Sequence, residues 1–331
     1  LEREPKLLPQ VFLLTLSELE SNKMDEIKIF APASVANVSC GFDILGFCLE
    51  PVGDEMIIRK TDSSGIKITK IEGQDLPLDV KNNVAGVAAE ALLKAHPVEF
   101  GFEIEIYKNI KAGSGIGSSA ASSAGAVFGI NKLLNSPFTA HELIHFAMQG
   151  EVLASGSAHA DNVAPLLLGG ITLVRSTNPI DVIQLPVPIE LSAVILHPKI
   201  ELKTMHAREI IKKNVTLEKA IQQWGNLGAF VSALYNEDYN LMSRSLKDVI
   251  VEPMRSLLIP EFESLKKASK EAGALGFGIS GSGPSVFALT KGTDSAEKVF
   301  KALEQIISSI GIDFDFYLSK INQQGIKILP N

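Results

Sequence analysis

The segment GSGIGSSAASSAG (113–125) places glycines at 113, 115 and 117 immediately before two serine pairs, 118–119 and 122–123. Glycines let a backbone turn sharply and approach a ligand closely. Successive N–H groups of such a loop, continuing into a helix N-terminus, cradle phosphate oxygens with no lysine in the loop. A hydroxyl in the first helical turn, from Ser118 or Ser119, could then bind the Mg²⁺ that bridges terminal phosphates. The chemistry is that of polyphosphate binding. A Walker loop is excluded, because Gly117 is followed by Ser118 where that loop needs Lys. Gly115, Gly117 and Ala120 formally satisfy the dinucleotide fingerprint G-x-G-x-x-A of an NAD(P)-binding oxidoreductase. That fingerprint normally opens the first βαβ unit, whereas more than 80 residues separate Met24 from Gly113 and two helices follow in a row. A glycine-rich turn feeding a closely packed helix explains the glycines but not the dense serine.

The elements that position this loop can be read from periodicity. IKIFAP (27–32), EMIIRK (55–60), IKITKI (66–71) and the cleanly alternating FEIEIYK (102–108) read as strands. NVAGVAAEALLKAH (83–96) reads as a helix, and SSAASSAGAVFGINKLLN (118–135) as a helix of small residues able to pack very close to a neighbour. TAHE (139–142) is a capping-box pattern opening a helix that runs to about Leu153, and GGITLV (169–174) returns to strand. After the proline-bearing TNPIDVIQLPVPI (177–189) the pattern restarts: strands at 190–198, 275–280, 285–290, 314–319 and GIKILP (325–330), with helices at 204–213, 217–235, 238–246, 261–272 and 294–309. This predicts a mixed α+β unit over 24–188 and a second unit over 189–331 of strand–helix–strand–strand–helix–strand, ferredoxin-like character. Residues 1–23, with the short apolar core VFLLTL, read as an N-terminal extension outside the fold.

Composition bounds the function. The 331 residues carry a net charge of −7, with 21% charged and 46% hydrophobic residues, which argues against nucleic acid or an anionic membrane as the main partner. The two cysteines, Cys40 and Cys48, fit reduced thiols and neither a disulfide framework nor a metal site. No segment has the length of a membrane span, so a cytoplasmic location is expected, with a homodimer as one admissible assembly.

KAGSGIGSSA (111–120) resembles the phosphate-loop signature of the GHMP kinases, Pro-x-x-x-Gly-Leu/Ile-Gly-Ser-Ser-Ala, except that Lys111 stands in place of proline. Two further stretches are similar to motifs of the same family in the same order: APASVANVSCGFDILGFCL near the N-terminus, which looks like the substrate-side motif of its homoserine-kinase branch, and GFGISGSGPSVFAL (276–289). The resemblance implies a first domain with the ribosomal-S5-domain-2-like fold, a ferredoxin-like second domain, and Mg²⁺-dependent transfer of the ATP γ-phosphate to L-homoserine, giving O-phospho-L-homoserine for threonine biosynthesis. Another GHMP kinase acting on a different small alcohol is the runner-up, and a catalytically silent binding protein of the same fold is a third reading.

By the same resemblance, Ser118 and Glu151 are the metal ligands, and ATP binding falls to the loop residues Lys111, Ala112, Gly113, Ser114, Gly115, Ile116, Gly117, Ser118 and Ser119. Asn83, Val84, Lys108 and Thr204 are the remaining ATP-binding candidates. Many relatives carry a catalytic aspartate seven residues before the Gly-Gly of LLLGG; here that count from Gly169 lands on Asn162, beside Asp161. An amide cannot accept a proton as a carboxylate does, so Asn162 is expected to orient the attacking hydroxyl while positioning and charge neutralisation carry the reaction. An amino-acid substrate needs an anion for its ammonium, for which Asp43 and Asn37 are suited, and a cation fork for its carboxylate, for which Arg208 and Arg255 are suited. His159 completes this set as a hydrogen-bonding residue of the substrate pocket, and Arg208 is also a catalytic candidate.

Overall fold

The computed structural model describes residues 25–200, 202, 209–212 and 214–330. The expected extension at 1–23, Thr204, Arg208 and most of the helix expected over 204–213 lie outside the described residues.

The first half of the chain builds a sheet from β1 (Glu26–Ala36), β2 (Leu45–Thr61), β3 (Gly65–Glu72), β4 (Gly101–Tyr107), β5 (Ile171–Thr177) and β6 (Ile180–Leu185). Its main path runs β3-β4-β2-β1, and β5 pairs with the start of β2 through Leu45↔Leu173 and on to β6. Of these pairs only β3–β4 is parallel, so the doubly wound parallel sheet that a dinucleotide fold requires is absent among the described residues. Helices α1 (Val84–Ala95), α2 (Ser118–Leu133), α3 (Ala140–Ser155) and the short α4 (Val163–Leu168) supply the other layer of this half.

The small-residue sequence of α2 has a direct packing cause. A Cβ on Gly129 would meet Ile58 Cδ1 at 2.2 Å and one on Gly125 would meet Met56 Sδ at 2.5 Å, so bare backbone lets this helix lie close on β1 and β2. Almost every residue of α2 is buried, serines included. The start of α3 carries the expected capping box: Glu142 N–H donates to Thr139 Oγ1 at 3.3 Å, and Thr139 N–H donates to Glu142 Oε2 at 2.7 Å.

The chain changes sheets between Leu185 and Leu191. The second half contains β7 (Leu191–Pro198), helices α5 (Leu217–Asn236), α6 (Tyr239–Ser245), α7 (Glu252–Arg255) and α8 (Phe262–Glu271), then β8 (Gly276–Ile279), β9 (Val286–Lys291), α9 (Gly292–Ser309) and β10 (Phe314–Lys320). Its antiparallel sheet has the order β10-β7-β9-β8, the arrangement of a split βαββαβ unit. The halves are stitched together. Phe47 of β2 meets Phe287 of β9 edge-on at 6.0 Å, and after β10 the chain returns to the first sheet, where β11 (Lys327–Ile328) pairs antiparallel with β1. The last strand thus belongs with the opposite half from its sequence neighbours.

Two strands exceed or escape the periodicity reading. β2 begins at Leu45, ten residues before the expected strand, because LGFCL and VGD are buried without alternation, with only Glu50 and Pro51 exposed between them. β6 lies inside the proline-bearing 177–189 segment read as a boundary, with its six residues bracketed by Pro179 and Pro186.

Candidate active site

A cavity of about 330 Å³ opens where the glycine loop meets the second half of the molecule. Ala112, Gly113, Gly115, Gly117, Ser118, Ser119 and Val84 line one part, and Asn37, Asp43, His159, Asn162 and Arg255 another, with Glu151 on the wall. Residues scattered over more than two hundred positions of sequence therefore share one concave site. Asn83, Lys111, Ser114 and Ile116 do not line it. Asn83 caps α1, accepting from Ala85 N–H at 2.9 Å and donating to the Pro77 carbonyl at 2.8 Å. Lys111 is exposed beside the loop, whereas Ser114 and Ile116 are buried beneath it.

The loop is built for left-handed backbone: Gly113, Gly115 and Gly117 have φ of 75°, 82° and 76°. Its carbonyls are tied down. Ser285 Oγ–H donates to the Ser114 carbonyl at 2.6 Å, Ser280 Oγ–H to that of Gly115 at 2.7 Å, and Ser34 N–H to that of Ile116 at 3.1 Å. In a trans peptide the N–H points opposite to the C=O, so three anchored carbonyls aim the Gly115, Ile116 and Gly117 amides the other way. Backbone amides so aligned at the N-terminus of α2 form an anion nest.

Glu151, on α3, is buried at the mouth of this nest. Ser119 Oγ–H donates to its Oε2 at 3.1 Å, while its Oε1 is buried with no hydrogen-bond partner. Burial pushes its carboxyl up to about 7, with nearby Asp161 adding to the rise and the Ser119 hydroxyl and Lys108 opposing it. Ser118, expected with Glu151 as a metal ligand, lines the cavity, but the hydroxyl hydrogen-bonded to Glu151 is that of Ser119. Ser118 Oγ–H donates to the Ile110 carbonyl at 2.8 Å, which leaves Ser119 as the hydroxyl beside the carboxylate.

Lys108 lines the cavity as expected, and its ammonium is also held from the core side. Register explains why: β2 and β4 pair antiparallel with Glu55 opposite Tyr107, so the next step sets Asp54 opposite Lys108. The buried ammonium is paired with Asp54 and donates to the Ser118 carbonyl at 3.0 Å and Ser122 Oγ at 3.1 Å. It braces the first turn of α2 from below, and burial lowers its pKa against the pull of Asp54.

At the other end of the cavity, Asn162 Oδ1 accepts from Ser34 Oγ–H at 2.9 Å, which assigns its amide nitrogen, a donor, to the open side. Asp43 Oδ1 lies 3.7 Å from His159 Nδ1. Asn37 donates to the Gly281 carbonyl at 2.6 Å and accepts from Asp43 N–H at 2.9 Å. Asn37 and Asp43 adopt φ of 74° and 60°, a left-handed geometry that Asn and Asp tolerate better than most residues. Arg255 lies with its guanidinium 5.1 Å above the Phe42 ring and donates to the Gly281 carbonyl at 3.0 Å. Ser34, Phe42 and Gly281 thus support the site without having been singled out, since each acts through a long-range contact. No group of three or more His, Cys, Asp or Glu forms a metal cage among the described residues.

An anion nest, a buried carboxyl beside a serine and a polar end in one cavity are the arrangement of a small-molecule kinase. Residues 82–170 match the family model of the GHMP kinases N-terminal domain and 230–307 that of the GHMP kinases C-terminal domain, and the chain belongs to the GHMP kinase family. It is 43% identical over 319 residues to a homoserine kinase of Chloroherpeton thalassium, covering 92% of this chain and all of that one. A homoserine kinase of Xylella fastidiosa is 37% identical over 306 residues, covering 92% and 94% of the two chains. The crystal structure of homoserine kinase from Cytophaga hutchinsonii superposes with a TM-score of 0.90 at 47% identity, covering 97% of this chain and 100% of that chain. Mevalonate kinase of L. major shares the fold alone, with a TM-score of 0.67 at 17% identity.

Proposed function

We propose that the chain is an ATP-dependent homoserine kinase, transferring the γ-phosphoryl group of ATP to the side-chain hydroxyl of L-homoserine. The products are ADP, O-phospho-L-homoserine and the proton released from the hydroxyl. The observation that carries this reading is the single cavity joining the anion nest of 113–119 to a polar end with Asn37, Asp43, His159, Asn162 and Arg255. The identity to homoserine kinases across nearly the whole chain supports the choice of acceptor.

In this reading the Gly115, Ile116 and Gly117 amides bind the polyphosphate, and Asn162 donates to the acceptor hydroxyl to orient it. Asp43 and Asn37 face the substrate ammonium, and Arg255, with Arg208 beyond the described residues, its carboxylate. Thr204, outside the described residues, is read as touching the γ-phosphate. Mg²⁺ fits the site: Glu151 Oε1 is a buried oxygen with no partner among the described residues, and Ser119 adds a hydroxyl, two protein oxygens of the kind this ion takes beside phosphates and water. When bound, the ion neutralises charge on the β- and γ-phosphates. Residues 24–188 are read as the nucleotide-binding domain and 189–331 as the second domain, acting in the cytoplasm in threonine biosynthesis. No helix among the described residues is long and apolar enough to cross a membrane.

A homodimer fits one surface feature. On α5, Leu217, Ile221, Trp224 and Tyr235 are exposed along one face, and Gly225 and Gly228 lie beside them, where a Cβ would meet nothing. Each glycine forfeits about 1 kcal/mol of helix propensity with no steric reason inside the chain. A second copy laid two-fold against this face would set each Trp224 over the other's glycines, and the four side chains offer roughly half of the ~800 Å² per partner of a standard interface.

The functional test is ADP release over a panel of homoserine, mevalonate, galactose and shikimate with Mg²⁺ and ATP. Homoserine-dependent release, with the others at background, is expected. Release with another alcohol alone, or with none, overturns the assignment.

A further inference from the structure

We infer that His197, which does not line the cavity, is a positioning residue for the phosphate nest, acting through Ser285. This rests on the reading of 113–119 as the polyphosphate cradle. His197 lies on β7 and is buried, with Nδ1 3.0 Å from Ser285 Oγ. Ser285 Oγ–H donates to the Ser114 carbonyl at 2.6 Å, and Ser285 N–H reaches the same oxygen at 3.3 Å.

The direction of this chain follows from proton counting. A serine hydroxyl has one proton. Ser285 gives it to the Ser114 carbonyl, so the contact with His197 is made by Nδ1–H donating to Ser285 Oγ. That fixes the tautomer and leaves Nε2 as the bare nitrogen, which agrees with its burial without a partner among the described residues. Burial also favours the uncharged ring, against Asp315 across the β7–β10 ladder and in concert with Lys111 and Lys199.

The consequence is mechanical. A hydroxyl accepting from His197 can rotate only so as to keep its proton on the Ser114 carbonyl, and that carbonyl sets the plane of the peptide whose N–H belongs to Gly115. His197 therefore locks, two hydrogen bonds away, the amide at the head of the nest. Without it the Ser285 hydroxyl is free to turn, and the Ser114 carbonyl is left with only the longer contact from Ser285 N–H to hold the Ser114–Gly115 peptide.

The test measures the Kd of MgATP by titration calorimetry without homoserine, alongside KM for both substrates. His197→Leu should weaken ATP binding about tenfold, the worth of one buried hydrogen bond, with the KM for homoserine unchanged. His197→Asn, whose side-chain nitrogen can occupy the Nδ1 position, should restore most of the loss. Ser285→Ala, which barely changes core volume, should reproduce the His197→Leu shift, and the double variant should be no worse than either alone. An unchanged ATP Kd in Ser285→Ala, equal loss for both substrates, or failure of Asn to restore binding overturns the role. ATP binding with no phosphoryl transfer by the unmodified chain would sink the kinase reading instead, while the calorimetric comparison would still decide the role of His197.

Discussion

Gly117 is the position at which a single methyl group should separate binding from chemistry. A Cβ there would stand 2.2 Å from Ser34 Oγ, 3.2 Å from Asn162 Oδ1 and 3.3 Å from Ser34 N. Gly117→Ala first incurs the left-handed strain of φ 76°, about 1–2 kcal/mol for an L-residue. The Ser34 hydroxyl must then swing away and release Asn162, for about 1 kcal/mol more. The Ser34 backbone cannot retreat, because its N–H holds the Ile116 carbonyl at 3.1 Å. Together these come to about 2–3 kcal/mol of stability. Because the side chain released is the one facing the acceptor hydroxyl, kcat should fall by about a hundredfold, the scale set by small misplacements of reacting groups. Coupled ADP-release kinetics and urea unfolding measure the two effects. In a Ser34→Ala background the same substitution meets no hydroxyl, so its stability penalty should shrink to the strain alone, a coupling of about 1 kcal/mol. Full kcat in Gly117→Ala, or a penalty undiminished in the Ser34→Ala background, would refute the reasoning.

Glu151→Gln should reduce kcat by about a hundredfold or more, and Ser119→Ala should reduce it more than Ser118→Ala does, since Ser119 is the hydroxyl on the carboxylate; steady-state rates over a Mg²⁺ series check the ranking. Arg255→Gln should raise the KM for homoserine about ten- to a hundredfold and leave that for ATP nearly unchanged, and a selective effect on ATP would move the residue to the phosphate side. Lys108→Met strands Asp54 in the core, where its Oδ1 still accepts from Asn109 and Ile110 N–H at 2.8 and 2.9 Å. Loss of one partner of a buried pair costs about 3–5 kcal/mol, seen as a lowered urea midpoint with unchanged slope. Asn162→Asp should not raise kcat at any pH, because a carboxylate there faces the γ-phosphate and loses the donor; a severalfold gain would mean that the site uses a base.

The fold was legible where one face of an element is wet and the other dry. FEIEIYK (102–108) alternates and is β4; TAHE (139–142) caps α3; the 217–235 periodicity is α5. Legibility failed where both faces are buried or where prolines bracket a short strand, as in the start of β2 and in β6. At the site, residue types and motif order brought Asn37, Asp43, Glu151, Asn162 and Arg255 to one cavity. What no spacing encodes is the choice between adjacent residues. Ser118 and Ser119 point about 100° apart on α2, and only the path of the Ile110 carbonyl decides which of them turns to Glu151. Lys108 is the same lesson at longer range. Its partner Asp54 is 54 residues upstream, and strand register rather than local sequence brings the two together.

The charge balance of the site bears on the proposed cation. In a protein of net charge −7, Asp43, Glu151 and Asp161 all line the cavity. Of the cations lining it among the described residues, Lys108 is spent on Asp54 and Arg255 lies at the polar end over Phe42. The nest supplies partial charges, on the order of half an elementary charge from a helix N-terminus, against the several negative charges of a triphosphate. In the proposed reading, bare ATP would bring its γ-phosphate toward Glu151, whose ionised form burial already disfavours. A divalent ion held by Glu151 would offset that repulsion, and the Glu151 oxygen with no other partner among the described residues would hold it. The same arithmetic favours the proposed role of an amide rather than a carboxylate at position 162. Each added negative charge near the γ-phosphate opposes the incoming anion, whereas a donor such as the Asn162 amide orients the acceptor hydroxyl without adding charge.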